Sequence, residues 1–140
     1  MSDAPQLPPP VPVGGVFPYL MVTGGKAALA FYAAAFGAVE VFRNYAEDGE
    51  RIMHARFTIN DTMIMLSDNF PEYRGGAPTP EPAGMMMHLQ VADADAAWNR
   101  AVEAGATIRM PLQDMFWGDR YGQLVDPFGH SWSIAAVKKG

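Results

Sequence analysis

The sequence predicts an α+β fold in which two βαβββ modules form a cupped, open, barrel-like mixed sheet with the helices outside. Three observations carry that prediction. An order of one strand, one helix and three strands is written twice at a spacing of about 69 residues, so that Val22 falls on Val91, Leu20 on Leu89 and Ala28 on Ala97. The candidate strands alternate apolar and polar residues with period two, and each module has one helical segment closed by a glycine, Gly37 and then Gly105 after a one-residue slip. A chain of 140 residues, 49% of them hydrophobic, suits one domain with a single core.

Residues 1–15 are rich in Pro and Gly and read as a flexible lead-in, because Pro removes backbone donors and Gly adds backbone freedom. The domain then spans 16–140, with modules at about 16–69 and 84–137 and a Pro- and Gly-rich linker at 70–83. In the first module VFPYLMV (Val16 to Val22) reads as a strand and TGGKAALAFYAAAFGA as an Ala-rich helix. VEVFRNY (Val39 to Tyr45), RIMHARFTI (Arg51 to Ile59) and TMIMLSD (Thr62 to Asp68) follow as strands, the last two joined by an Asn60-Asp61 turn. In the second module MMMHLQV is a strand and DADAAWNRAVEAG a helix, with Asp93 as N-cap and Gly105 past its end. ATIRMPLQDMFWG, RYGQLVD and HSWSIAAV supply three further strands, and Asp126-Pro127-Phe128-Gly129 makes the last hairpin turn. That turn chemistry accounts for His130, which is expected to cap the turn or lie at the sheet end.

Net charge excludes some partners. At -5, with its basic residues scattered, the chain lacks the positive footprint of a nucleic-acid binder or a polybasic membrane patch. No window approaches a membrane span, and the start of the chain has neither a basic region nor an apolar run. The absence of cysteine excludes a disulfide framework and a thiolate nucleophile and is compatible with a reducing compartment, so a cytoplasmic protein is expected.

Alternation assigns sides. Leu20, Val22, Leu89 and Val91 should lie under the helices, leaving Phe17, Tyr19, Met21, Met86, His88 and Gln90 on the other face, where curved sheets would enclose a cleft. Trp132 should bury against a helix and Ser133 should face the cleft as a polar lining residue with no base beside it. Glu47, Asp48, Glu50 and Arg51 read as a solvated hairpin tip, and Asp119 with Arg120 as a surface pair.

PYLMV followed by AFYAAAFGA, then HARFTINDTMIMLSD, then FWGDRYGQLVDPFGHSW, resembles the vicinal oxygen chelate superfamily of glyoxalases, extradiol dioxygenases and bleomycin-resistance proteins. The likeness runs from about Val16 to Val137 and is greatest to the PhnB-like branch. It implies paired βαβββ modules, a homodimer whose clefts form across the two-fold, and, in the enzymes, a divalent ion held by His and Glu on the free faces of inner strands. Carried onto this chain, those ligand positions fall at Phe17, Met86 and Ser133, and at a first-module strand where Met65 and Ser67 share one face and Asp68 points to the other. No metal and no cofactor is therefore expected.

The function expected is metal-independent binding of a small molecule, in the manner of the antibiotic-resistance members, with a planar apolar compound against Phe17, Tyr19, Met86, His88, Trp117, Tyr121 and Ser133. The competing readings are an enzyme, with a metal relocated to His88 and His54 or with His88 and Tyr19 as acid and base, and a scaffold in which the same aromatics form a dimer core. No catalytic residue is assigned.

Overall fold

The computed structural model describes residues 9–139. The first eight residues of the expected lead-in lie outside the described residues, and positions 9–18 carry no regular element. The first module consists of β1 (Tyr19–Val22), α1 (Gly25–Phe36), β2 (Val39–Tyr45), β3 (Ile52–Ile59) and β4 (Thr62–Asp68). The second consists of β5 (Met86–Gln90), α2 (Ala94–Ala104), β6 (Thr107–Asp114), β7 (Asp119–Val125) and β8 (Ser131–Val137). Between them the linker forms one 3-10 turn at Pro71–Arg74. Each module makes a four-stranded mixed sheet, ordered β1-β4-β3-β2 and β5-β8-β7-β6, with its first strand parallel to its last. Among the described residues no strand of one sheet pairs with a strand of the other, which leaves the arrangement open.

Local chemistry fixes the element ends. Asn60 and Asp61 both adopt positive φ, 49° and 62°, the requirement of a two-residue hairpin that, after glycine, Asn and Asp tolerate best. The Asp93 carboxylate caps α2 by accepting from the Ala96 N–H at 3.1 Å. The N-cap of α1 is Gly24, which has no side chain to cap with, so Asp68 at the end of β4 does so from across the module. Asp68 Oδ1 accepts from the Gly24 and Gly25 amides and Oδ2 from the Ile52 amide at 2.7 Å, pinning the starts of α1 and β3 to the end of β4. Gly25 is required there, since a Cβ would lie 2.6 Å from Asp68 Oδ2. Pro111 interrupts the pairing of β6, which is tolerated because β6 is an edge strand.

One core serves both modules. Leu20, Phe57 and Leu66 from the first sheet, Leu89, Leu124 and Ile134 from the second, and the inner sides of both helices belong to the same buried cluster. Tyr32 on α1 stacks on Phe57 of β3 at 5.5 Å and lies 5.5 Å from Trp132 of β8, while Phe36 stacks on Trp132 at 4.3 Å. The helices also touch directly: Arg100 of α2 donates to the Ala33 and Ala34 carbonyls at the C-terminal end of α1. Each sheet consequently turns its free face away from this shared core.

Two hydrogen bonds across the seam repeat the internal symmetry. Met21 O accepts from His130 Nε2 at 2.8 Å, and Gln90 O, 69 positions later, accepts from Asn60 Nδ2 at 3.3 Å. In each case a hairpin-turn residue of one module covers the edge of the other module's first strand. His130 is thus occupied by structure, its ring nitrogen donating to a backbone carbonyl. No helix among the described residues is long and apolar enough to cross a membrane.

Asp126, 4% exposed, is the polar centre of the core. Oδ2 accepts from Tyr32 Oη at 2.6 Å and Trp132 Nε1 at 2.9 Å, and Oδ1 accepts from the Phe128 and His130 amides. Burial and this carboxylate push the Tyr32 hydroxyl well above its ordinary value, so it remains a donor. Asp126→Ala leaves those donors unsatisfied in the core and should cost about 3 kcal/mol or more. Urea unfolding checks this, and an unchanged midpoint would refute the role.

Candidate functional site

The free face of the second sheet carries a continuous polar and aromatic network. β5 runs parallel to β8 with His88 opposite Ser133, and β7 flanks β8 with Gln123 opposite Ser133. That register places Ser133 Oγ 2.7 Å from His88 Nδ1, and His88 Nε2 lies 2.8 Å from Gln90 Oε1. The amide oxygen of Gln90 can only accept, so Nε2 carries the proton, and Nδ1 accepts from the Ser133 hydroxyl. The His88 ring lies nearly parallel to Tyr121 at 6.1 Å, and Trp117 meets Tyr121 edge-on at 5.5 Å. Tyr121 Oη accepts from Gln123 Nε2 at 3.1 Å and is 3.8 Å from Met86 Sδ.

Four of the expected lining residues, Met86, His88, Tyr121 and Ser133, therefore lie on strands of one sheet, and Trp117, in the turn between β6 and β7, meets them through Tyr121. The expectation that Ser133 has no base beside it was wrong, because the pairing of β5 with β8 sets His88 directly opposite. Ser133 is nevertheless only 1% exposed, too enclosed to attack a substrate, and serves to orient the imidazole.

Tyr19 belongs to a second network, on the free face of the first sheet. Tyr19 Oη is 2.9 Å from His54 Nδ1, and His54 Nε2 accepts from Arg56 Nε at 3.0 Å. A guanidinium only donates, so the His54 proton sits on Nδ1 and points to the Tyr19 oxygen, leaving the Tyr19 hydroxyl proton free for an outside acceptor. Burial, and then the positive charge of Arg56, lower the His54 imidazole below its ordinary value. No hydrogen bond or ring contact among the described residues joins this network to that of the second sheet. His54 and His88 thus sit in separate networks, and the described residues contain no group of three His, Asp or Glu side chains placed to hold a metal ion.

Phe17 departs from expectation. The strand begins at Tyr19 rather than Val16, so alternation does not give Phe17 a face, and its ring folds back over Gly15. Arg120 does not pair with Asp119. It reaches Asp95 on α2 and Asp114 on β6, while Asp119 accepts from Trp117 Nε1. The hairpin tip is tied down through Arg51, which pairs with Asp48 and with Glu72 of the linker and covers the Phe70 ring. Arg56 was missed in the sequence because nothing along the chain distinguishes a buried arginine from a surface one; the signal available was its position two residues from His54 in an otherwise apolar strand.

A groove of about 810 Å³ runs between the modules beside β1. Of the residues expected on the free faces it has only Tyr19 and Met21, and its other walls come from the linker, the turn at Asp126–His130, and Thr23, Asn69 and Thr107. Its arginine, Arg74, is engaged by Thr79 and the Ala77 carbonyl.

Residues 16–134 match the family model described as Glyoxalase/Bleomycin resistance protein/Dioxygenase superfamily. The chain is 45% identical over 121 residues to the uncharacterized protein Mb0911c of Mycobacterium bovis, a match covering 84% of this chain and 79% of that one. Among solved structures it is similar to protein PA1353 of Pseudomonas aeruginosa, at 27% identity and a TM-score of 0.72 over 89% of this chain and 98% of that one. It is also similar to a PhnB protein from Bacillus cereus, at 25% identity and a TM-score of 0.68, covering 87% of this chain and 98% of that one.

The first-sheet network predicts a titration. In an NMR pH series the His54 imidazole should titrate below the ordinary imidazole range, and Arg56→Gln should move its midpoint upward by removing the adjacent positive charge. An unmoved midpoint would show that Arg56 does not act on His54.

Proposed function

The chain belongs to the Glyoxalase/Bleomycin resistance protein/Dioxygenase superfamily, and on that premise we propose that it binds a planar, largely apolar small molecule without a bound metal. The observation that carries this reading is the second-sheet network. His88 is satisfied by Ser133 and Gln90, and Tyr121 accepts from Gln123, so what this surface offers a ligand is the rings of His88, Tyr121 and Trp117. Flat rings stack on such faces, each pair contributing about 0.5–1.5 kcal/mol beyond the area buried. A Lewis-acid site needs converging carboxylates and imidazoles, whereas the positions implied for ligands hold Phe17, Met86 and Ser133.

The ligand site is completed in a homodimer, in which the first-sheet face of one copy meets the second-sheet face of its partner. Two features support this. Neither face is closed by the other within one chain, and Phe116, 96% exposed, stands beside the half-exposed Trp117 as uncovered apolar surface at the rim.

Trp98 and Trp132 are buried and Trp117 is 48% exposed, so Trp117 should report binding. Titration with 2-naphthamide should give saturable quenching of tryptophan emission that Trp117→Phe abolishes. Tyr121→Ala should weaken binding by about 1 kcal/mol, roughly fivefold. Absence of saturable quenching, or an unaltered affinity in Tyr121→Ala, would overturn the assignment.

A further inference from the structure

Arg56 is 7% exposed, yet none of the ion pairs among the described residues includes it. Its cross-strand neighbours are Phe42 on β2 and Met65 on β4, both apolar. Of the five N–H groups of a guanidinium, Nε goes to His54 and one on Nη1 goes to the Pro9 carbonyl, which leaves three without an acceptor among the described residues. Nη2, which makes neither bond, is not among the buried unpartnered atoms, and a guanidinium this poor in acceptors is stabilised by an anion that faces it. The neutral carbonyl of Pro9 is a weak substitute, and it comes from an irregular segment outside the sheets, which a stronger acceptor can displace. The Tyr19 hydroxyl, whose oxygen is taken by His54, presents its proton on the same face.

We propose that Arg56 and Tyr19 form a binding site for the carboxylate of the ligand, held in the free chain by the Pro9 carbonyl. This rests on the small-molecule reading above and narrows the ligand from a flat apolar compound to a flat aromatic acid. The guanidinium donates two parallel N–H bonds to the two carboxylate oxygens, and the Tyr19 hydroxyl donates to one of them. His54 positions both donors, because its ring nitrogens accept from one and donate to the other. The apolar Phe42 and Met65 beside Arg56 keep the local dielectric low, which strengthens the pair.

The test compares 2-naphthoate with its neutral analogue 2-naphthamide by calorimetry on the full chain. The wild type should bind the acid at least about tenfold more tightly, Arg56→Gln should bring acid and amide to within about twofold of one another, and Tyr19→Phe should reduce the preference in part. The comparison of the two compounds on the wild type needs no variant to fold, and thermal melting qualifies each variant. Equal affinity for acid and amide, or a preference that survives in Arg56→Gln, overturns the carboxylate site and leaves the apolar reading standing. Binding of neither compound overturns both.

Discussion

The Tyr32 side chain is the contact on which the rest of the molecule depends. Its ring lies against Phe57 of the first sheet and close to Trp132 of the second, and its hydroxyl is tied to the carboxylate of Asp126. A single helical residue thus joins α1, both sheets and the last hairpin turn. Because the aromatic rings meet there, the helices and the inner faces of both sheets share one core, and each sheet keeps a free outward face.

The internal repeat then explains what the two outward faces have in common and where they differ. Each has a tyrosine and a histidine in contact from its first and third strands, but in exchanged order: Tyr19 with His54 in the first module, His88 with Tyr121 in the second. The strand pairing extends the correspondence. Arg56 stands opposite Met65, and Gln123 stands opposite Ser133, so a cation beside an apolar residue in one module answers to an amide beside a hydroxyl in the other. In the proposed function the first face donates to an acceptor and the second stacks against a ring. In the proposed homodimer the two faces would recognise opposite ends of one molecule.

Much of the fold was legible because turn chemistry and alternation are local signals. Asn60-Asp61, Asp93, Gly37 and Gly105 mark boundaries that the structure reproduces within a residue or two. The strand at Val16 was misjudged since Phe17-Pro18 looks extended in sequence, yet β1 pairs with β4 only from Tyr19 onward. The site was legible in part. Alternation put residues of β5 and β8 on the free face, but their grouping with β7 depends on strand order, which alternation does not encode. For the same reason the base beside Ser133 and the buried state of Arg56 were invisible along the chain, as was the long-range role of His130, which spans 109 positions to Met21.

The most direct test of a metal-independent ligand face is chemical-shift mapping of the labelled full chain titrated with 2-naphthamide in the presence of EDTA. Saturable shifts centred on Met86, His88, Trp117 and Tyr121 are predicted. Shifts confined to the groove at Thr79 to Pro82 and His130, or appearing only when a divalent cation replaces the chelator, would contradict it.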